Sequence, residues 1–354
     1  MDKDFLIRLL ETISPSGYEV EGRTIFDNFC ESNNLTHEFT DKIGNSAFSI
    51  GEGNIPFMLS GHIDEIALQV QYIDDNGFVH FIKDGGIDPK TLPGRNVVIK
   101  GSKIVFGVIG KTPIHVEWHT DDKEKVTKVK DLKIDIGASN REEAEKMGVR
   151  VGDPIVFDKK LRFLGDNRIA ACGIDDKVGV FIAASVLVKL QHEAKPLKAL
   201  KVYGVACVQE EVGGNGAYIA SKKINPQYSI DYDVTFATDD DCVSKNEWGD
   251  IKLGGGGCIA FGPDKNLVMC RSMVDVCNRH NIPYQPFAVG TGMTNTLGIK
   301  TAADDCFTLL MSIPERNMHT PVEVFDLRDI ESLIDMTYHY IVELDKNLSS
   351  VNNN

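Results

Sequence analysis

The sequence lacks any apolar stretch approaching the roughly 18–20 residues that a membrane-spanning helix needs. Its first residues, MDKDFLIRLLETISPSGYE, also lack the basic start and long apolar core of a signal peptide. Basic residues are comparatively few, since 38 Lys and Arg stand against 52 Asp and Glu, which gives a formal charge of −14. A protein that binds the nucleic-acid backbone needs a basic patch. We therefore expect a cytoplasmic protein that binds neither nucleic acid nor membranes.

Paired cysteines are also missing, because none of the eight cysteines is spaced as CxxC. This pattern predicts reduced and mostly buried thiols, rather than a disulfide framework or a zinc site made of cysteines. Hydrophobic residues make up 42% and charged residues 25% of the 354 positions, which is typical of a soluble globular protein. A chain of this length is expected to form about two domains.

The hydrophobic pattern changes twice along the chain. Residues 66–164 consist of short alternating segments broken by Gly, Pro and Asp, and they include a charged stretch at 119–130 that we expect to be an exposed loop. After residue 164, strands and helices alternate up to a long helix near the end. We predict an α/β fold in which residues 1–65 and 165–349 form a doubly wound, mostly parallel sheet, with residues 66–164 inserted as a β-rich domain. Residues 350–354 are predicted to be a disordered tail.

Polar residues that can bind metals follow several of the predicted strands. Each has a simpler explanation when taken alone, such as a helix N-cap for Asp175 or a structural histidine for His62. In an open α/β sheet, however, the carboxyl ends of the strands meet at one edge, where ligands bind. Grouping so many carboxylates without Lys or Arg costs electrostatic free energy, because like charges repel, unless bound metal cations balance them. The residues are His62, Asp64, Asp175, Asp176, Glu210, Glu211, Asp239 and His319.

Carboxylates combined with imidazoles are the ligand set of zinc, cobalt or manganese. Two such ions about 3.5–4 Å apart form a hydrolytic centre in many enzymes. In such a centre one carboxylate bridges the metals, and another stays off the metals as general base. The adjacent Glu210 and Glu211 suit this division, because neighbouring side chains on an extended chain point in different directions.

Seven motifs occur in order over almost the whole chain: ISPSGYE (13–19), GHIDEIAL (61–68), DIGASNREEAEKMGVRVGD (135–153), GIDDKVGV (173–180), QEEVGGNGA (209–217), DVTFATD (233–239) and MHTPVEV (318–324). Together they resemble the glutamyl/leucyl aminopeptidases that form tetrahedral (TET) particles, some of which have been called cellulase M. The resemblance implies two divalent metal ions per subunit, zinc or cobalt with manganese possible. It also implies short peptide substrates, dimer contacts through the inserted β domain, and a dodecamer built from dimers.

The resemblance also implies roles for single residues. His62 and His319 would be terminal metal ligands, and Asp175 the carboxylate that bridges the two ions. Glu211 and Asp239 would complete the ligand set. Glu210 would be the general base acting on a water that bridges the metals, and Asp64 would orient the imidazole of His62.

Some positions depart from the family pattern. Lys177 replaces the usual Arg after the paired aspartates, and Asp240, Asn295 and Asn317 also differ from the family's residues. These departures bear on substrate specificity rather than on metal binding. The glycine run at 254–257 lacks the GKS or GKT ending and the GxGxxG context of phosphate loops, so we expect a flexible active-site loop there.

The predicted function is a dinuclear metal-dependent aminopeptidase that removes N-terminal residues from short peptides. One alternative is a related dinuclear hydrolase with another substrate, such as a deacylase or a carboxypeptidase. A second alternative is a non-catalytic assembly protein derived from the enzyme. A glycanase is disfavoured, because no acid and nucleophile carboxylate pair is recognisable apart from the metal set.

Overall fold

A computed structural model of the chain describes residues 1–117, 128–290 and 294–351. Most of the predicted loop at 119–130 therefore lies outside the described residues. The helices of the described part are α1 (Lys3–Glu11), α2 (Val20–Ser32), α3 (Ile114–Glu117), α4 (Arg141–Met147), α5 (Ile174–Glu193), α6 (Asn215–Ile224), α7 (Lys245–Trp248), α8 (Leu267–His280), α9 (Asn295–Ala302) and α10 (Leu327–Val351), with 3-10 turns at Pro89–Thr91 and Val129–Asp131.

The strands of the described part are short, none longer than nine residues. They are β1 (Thr36–Thr40), β2 (Ser46–Ile50), β3 (Ile55–His62), β4 (Ala67–Ile73), β5 (Val79–Asp84), β6 (Asn96–Lys100), β7 (Ile104–Ile109), β8 (Ile134–Asp135), β9 (Pro154–Phe157), β10 (Arg162–Leu164), β11 (Arg168–Ala171), β12 (Leu200–Cys207), β13 (Tyr228–Phe236), β14 (Gly257–Phe261), β15 (Tyr284–Ala288), β16 (Phe307–Glu315) and β17 (Glu323–Asp326).

The chain divides into two compact units. The first unit comprises the described parts of Met1–Asp64, Leu161–Met318 and Val322–Asn354, and the second comprises those of Glu65–Lys160 and His319–Pro321. Strand β10 belongs to the first unit because it pairs with β11. The inserted segment therefore ends at residue 160, four residues before the predicted boundary.

The first unit contains an eight-stranded sheet in the order β1-β2-β12-β3-β13-β16-β14-β15. The four central strands β12, β3, β13 and β16 are parallel to one another, whereas β2 and β14 pair with them in the antiparallel sense. The α/β fold is thus confirmed, with a sheet that is mixed at its edges. Helix α5 packs on the centre of this sheet and contacts α1, α2 and α10 as well. Its residues from Val178 to Leu187 are almost all apolar and buried, as expected of a helix covered on every side.

The register of the central strands determines which residues meet at the carboxyl edge. His62, the last residue of β3, pairs with Cys207 of β12. Two residues earlier, Ser60 pairs with Asp231 of β13, so Asp233 lies level with His62 although β13 continues to Phe236. This edge therefore holds residue 62, the turn that follows residue 207, and the second half of β13.

The second unit is a closed barrel with strand order β4-β5-β8-β7-β6-β9, which confirms the predicted β-rich insertion. Strand β7 alternates between buried and exposed positions, as one face of a barrel strand must. Val105 and Ile109 point into the barrel, whereas Ile104, Phe106 and Val108 are exposed.

A buried ion pair joins the two ends of the inserted segment. The ammonium of Lys159 lies 2.8 Å and 2.6 Å from the two carboxylate oxygens of Glu65. Both side chains are withdrawn from solvent, with 7% and 1% of their surface exposed. The first residue of this segment and its penultimate residue are therefore held against each other.

Helix α10 extends to Val351 and so includes residues 350 and 351 of the predicted tail. The predicted disordered tail is therefore wrong for residues 350 and 351, and its remainder lies outside the described residues. All eight cysteines are free thiols, as predicted, and six of them are buried. Over the described part of the chain, no helix combines the length and the apolar character required to cross a bilayer.

Candidate active site

Two backbones approach each other closely where β3 meets the start of α5. A Cβ atom on Gly61 would lie 2.5 Å from the carbonyl carbon of Gly179, so only glycine fits at this position. The Asp176 carboxylate is enclosed between them and accepts hydrogen bonds from the backbone amides of His62 (3.2 Å) and Gly179 (3.0 Å). This packing fixes the position of His62 relative to Asp175 and Asp176.

A buried group of three potential metal ligands lies at this edge of the sheet. One ligand atom each of His62, Asp175 and Asp233 lies within 4.8 Å of the others. The His62 Nε2 atom is 3.1 Å from Asp175 Oδ1, and all three residues are buried. One imidazole and two carboxylates at this spacing are a donor set suited to a divalent transition metal.

A backbone hydrogen bond orients the imidazole of His62. Its Nδ1 atom is 3.0 Å from the carbonyl oxygen of Asp64, whereas the Asp64 carboxylate is 3.5 Å away, too far for a good hydrogen bond. When Nδ1 carries the proton, Nε2 presents its lone pair toward Asp175, as in histidines that bind metals. The predicted role of Asp64 in orienting His62 is thus performed by its main chain.

The group carries a large excess of buried negative charge. Burial raises the pKa of Asp233 well above its ordinary value, and the neighbouring charges of Asp175 and Asp176 raise it further. Burial also raises the pKa of Glu315, which is surrounded by Glu323 and the same aspartates. Burial by itself lowers the pKa of His62, but its hydrogen bond to Asp175 and the nearby negative charge of Asp64 outweigh that effect and raise the pKa. Bound cations would neutralise this excess, so the residues fit a metal centre.

Asp175 has a second carboxylate neighbour besides Asp233. An oxygen of Glu211 lies within 4.8 Å of one of its oxygens. Asp175 is therefore close both to His62 and Asp233 and to Glu211. A carboxylate in this position is suited to bridge two ions.

The turn after β12 places Glu210 and Glu211 next to Asp64. The backbone amide of Glu210 donates to Asp64 Oδ1 (3.0 Å), and that of Glu211 donates to Asp64 Oδ2 (3.2 Å). The Glu210 carboxylate lies 3.9 Å from His62 Nε2 and is partly open to solvent. Asp64 therefore orients the peptide groups of both glutamates.

His319 belongs to the second unit, where a glycine makes room for it. Its Nδ1 atom is 2.9 Å from the carbonyl oxygen of Gly86. A Cβ atom on residue 86 would lie 2.6 Å from the same nitrogen. The contact favours the tautomer that presents Nε2, just as in His62. Sequence reasoning did not single out Gly86, although its place within a Gly-Gly pair is a signal of close backbone approach.

Asp239 does not join the group of ligands. Its Oδ1 atom forms an ion pair with Arg316, at 2.9 Å from Nε and 2.8 Å from Nη2, and Oδ2 accepts the amide of Leu253. Its charge is thus already balanced, and the buried group of potential ligands contains Asp233 instead. The overlooked signal was an acidic pair, Asp231 and Asp233, at alternate positions of an otherwise apolar strand.

The departures from the family pattern have structural roles near this edge. The buried Lys177 ammonium donates to the carbonyl oxygen of Thr12 at 2.7 Å. Asp240 lies 3.8 Å from the Arg316 guanidinium. The Asn317 amide donates to the carbonyl oxygen of Val322 at 3.1 Å. Asn295 is fully buried at the start of α9, while residues 292 and 293 lie outside the described part.

The glycine run at 254–257 is not the flexible loop that the sequence suggested. The amides of Gly254 and Gly256 both donate to the Asp329 carboxylate at 2.7 Å, and Gly257 donates to Ser332 at 3.1 Å. The Gln285 side chain also donates to the carbonyl of Gly256. Helix α10 and strand β15 therefore hold this run in one conformation.

The chain is similar to known aminopeptidases over almost its whole length. The lysyl aminopeptidase of Pyrococcus furiosus is 32% identical over 97% of this chain and 98% of its own length. The structure of a TET aminopeptidase from a marine sediment archaeon of the Thaumarchaeota matches with a TM-score of 0.91 at 28% identity, covering 98% of both chains. The TET1 peptidase of Pyrococcus horikoshii, which can assemble into a tetrahedron or a large octahedral shell, matches with a TM-score of 0.85 at 30% identity, over 96% of this chain and 99% of its own.

The model of the M42 glutamyl aminopeptidase family matches residues 44–336, which include His62, Asp175, Asp233 and the two adjacent glutamates. The match covers most of both units. The chain therefore belongs to the M42 glutamyl aminopeptidase family, and it is a hydrolase of the metal-dependent aminopeptidase class.

Proposed function

We propose that this protein removes N-terminal residues from short peptides with two divalent metal ions per subunit, zinc or cobalt, with manganese as a third option. The ligands we assign are His62, Asp175, Glu211, Asp233 and His319. The observation that carries the proposal is the buried group of His62, Asp175 and Asp233, whose ligand atoms lie within 4.8 Å of one another. Asp175 is assigned as the bridging carboxylate because it is also close to Glu211. His319 is assigned from the MHTPVEV motif and its orientation by Gly86.

We assign the role of general base to Glu210. When bound, the ions would supply Lewis-acid activation of the scissile carbonyl and of water. The Glu210 carboxylate takes a proton from the attacking water and passes it to the leaving amine. Its position suits this role, because the side chain is partly open to solvent while Asp64 fixes its peptide amide. Glu211, with its amide on the other Asp64 oxygen, is left to bind metal.

We also propose that the protein self-associates, as a dodecamer built from dimers. The TET1 peptidase of Pyrococcus horikoshii, a structural neighbour at 30% identity, assembles into closed particles. The exposed apolar residues of β7, which are Ile104, Phe106 and Val108, offer a surface for such contacts.

A substrate panel tests the proposed reaction. Chelated protein is supplied with zinc, cobalt or manganese and given aminoacyl-anilides, matched N-blocked anilides, and acylated or carboxypeptidase substrates. We expect metal-restored cleavage of the unblocked anilides alone, because the free amino terminus is part of what an aminopeptidase recognises. Cleavage of the N-blocked or carboxypeptidase substrates would establish the deacylase or carboxypeptidase alternative. Two bound ions without any cleavage would favour the non-catalytic assembly protein.

The general base has its own test. We expect Glu210→Gln to retain bound metal and to lower kcat by about 10²–10⁴-fold, the usual contribution of a general base. Metal content is measured by mass spectrometry on the same samples that are assayed. As a control, Glu247→Gln changes a glutamate on the exposed helix α7 and should leave kcat unchanged. If Glu210→Gln turned over as fast as the unmodified protein, another group would have to be the base.

A further inference from the structure

The loop of residues 14–19, between α1 and α2, reaches the turn that carries Glu210 and Glu211. We infer that Ser16 of this loop is a positioning residue, which holds the Asp64 carboxylate so that both glutamates face the metal centre. The inference rests on the proposed metal-dependent function. It assigns a role to a segment that supplies no metal ligand and no general base.

The contacts of Asp64 show how the loop acts. The Ser16 hydroxyl donates to Asp64 Oδ2 at 2.7 Å, and the same oxygen accepts the amide of Glu211 at 3.2 Å. The other oxygen accepts the amide of Glu210 at 3.0 Å. The side chain of Asp64 is fully buried, so no water replaces a lost donor without a rearrangement. Among the described residues, the Ser16 hydroxyl thus joins the two glutamate amides as a donor to this carboxylate.

A second side chain of the same loop contacts the residue before the glutamates. Gln209 has a left-handed backbone conformation with φ of +57°, which is uncommon for a residue with a side chain. The Glu19 carboxylate accepts a hydrogen bond from the backbone amide of Gly17 at 2.7 Å, and it also interacts with the backbone amide of Gln209. Ser14 of the loop donates to the carbonyl oxygen of Ile63, beside His62. The loop thus supports the site at three points.

Loss of the Ser16 hydrogen bond would affect both glutamates, because each oxygen of the Asp64 carboxylate accepts one of their amides. If Ser16 no longer donates, the Asp64 carboxylate can rotate about its χ2 torsion, which is a soft torsion for aspartate. The amides of Glu210 and Glu211 then lose their fixed acceptors. Residues that orient metal ligands typically contribute 10–100-fold in metal affinity or activity. We expect Ser16 to lie near the lower end of this range, because it acts through one hydrogen bond.

The test compares Ser16→Ala, Ser16→Thr and Ser49→Ala with the unmodified full-length protein. Ser49 is the matched control, since its hydroxyl also donates to a carboxylate, that of Glu38 at 2.6 Å, but on strand β2 and outside the candidate site. Zinc dissociation constants are measured by competition with a fluorescent chelator, and kcat and KM are measured on the best anilide. Melting temperatures of the chelated proteins report the purely structural effect of each substitution.

We expect Ser16→Ala to weaken zinc binding and lower kcat by about tenfold each with KM little changed, Ser16→Thr to restore both, and Ser49→Ala to change neither. Zinc affinity and kcat within twofold of the unmodified protein in Ser16→Ala would overturn the inference, as would a Ser16→Thr variant no better than Ser16→Ala. Failure of the unmodified protein to bind zinc, cobalt or manganese would instead overturn the proposed function.

Discussion

At the residue scale, Asp233 and Asp239 have the same chemistry and different surroundings. Asp233 is buried beside Asp175 and Asp176, and its pKa is raised first by burial and then by their charges. Asp239 is paired with the Arg316 guanidinium at the surface of the same edge. A carboxylate that is already paired with a protein cation is stabilised little by a metal ion. A carboxylate buried among other acidic groups is stabilised strongly, because the metal ion neutralises the repulsion between them.

This difference predicts opposite outcomes for the two Asp→Asn substitutions. We expect Asp233→Asn to lose about one bound ion per subunit, because the amide is a weaker ligand and the site loses a charge. We expect Asp239→Asn to keep the full metal content, with a modest loss of thermal stability from the broken ion pair. Metal content after dialysis is measured by elemental analysis of both variants. The reverse result would return Asp239 to the ligand set.

At the element scale, the two proposed ligands His62 and Asp233 differ, because His62 is the last residue of its strand, where ligands are expected, whereas Asp233 lies inside its strand. Strand β13 continues to Phe236, three residues beyond Asp233. The edge of the sheet is nevertheless set by its neighbour β3, which ends at His62, level with Asp233. Sequence patterns locate each strand separately, so they cannot give the relative stagger of two strands far apart in the chain. Asp233, the proposed ligand inside a strand, was not predicted for this reason.

Other elements could be predicted from sequence when they are buried on one face or on all sides, because such burial leaves a clear hydrophobic pattern. Helix α5 and strand β12 are apolar over most of their length, and this pattern alone predicts a helix over 177–190 and a buried strand over 200–208, near the observed bounds. Helix α2 has a polar sequence with three fully buried residues, so its periodicity is weak and it was not predicted. The insertion was predicted to be β-rich, but its closure into a barrel depends on pairings such as β4 with β9, which no local pattern encodes.

The glycine run at 254–257 is held by the carboxyl group of Asp329, whose protonation depends on pH. Burial raises the pKa of Asp329 to about 7, against the opposing effect of the Gly254 and Gly256 amides. The folded protein therefore holds a proton between about pH 4 and 7 that the unfolded chain releases. The contribution of this group to stability is full below that window and falls as pH rises through it.

Asp329→Asn tests this anchor. Asparagine keeps one acceptor and turns a donor toward the other amide, so we expect a lower melting temperature at every pH. Because the unmodified protein loses the contribution of Asp329 as pH rises from 4 to 7 and the variant has no such contribution to lose, the deficit of the variant should be larger at pH 5 than at pH 8. The measurement is thermal unfolding of metal-free protein at pH 5, 6, 7 and 8. A deficit that did not vary with pH would show that Asp329 does not titrate in this window.

At the scale of the whole molecule, the barrel strand β7 leaves an apolar face uncovered within one chain. Phe106 has 68% of its surface exposed and is flanked on the same face by Ile104 and Val108. Contiguous exposed apolar residues on a soluble protein commonly mark a protein interface. This face is the natural candidate for the dimer contact that the family resemblance implies.

We expect Phe106→Asp to dissociate the assembly into smaller particles, because a charge cannot be buried in an apolar interface without large cost. Light scattering coupled to size-exclusion chromatography gives the mass of each particle. Lys103→Asp, a charge change next to the same strand, is the control and should leave the mass unaltered. An unchanged mass for Phe106→Asp would place the subunit contacts elsewhere.

The ion pair between Glu65 and Lys159 also bears on how such a chain can evolve. Each doubling of a flexible loop costs only about 0.6 kcal/mol in closure entropy, so a long insertion is tolerated wherever its two ends can meet. In this chain the two ends are held together by the opposite charges of Glu65 and Lys159, which are both buried. The two ends of the insertion are therefore adjacent. An insertion whose ends are adjacent can change in sequence or length, or be replaced by another domain. The first unit, which carries His62, Asp175 and Asp233, keeps its own sequence constraints meanwhile.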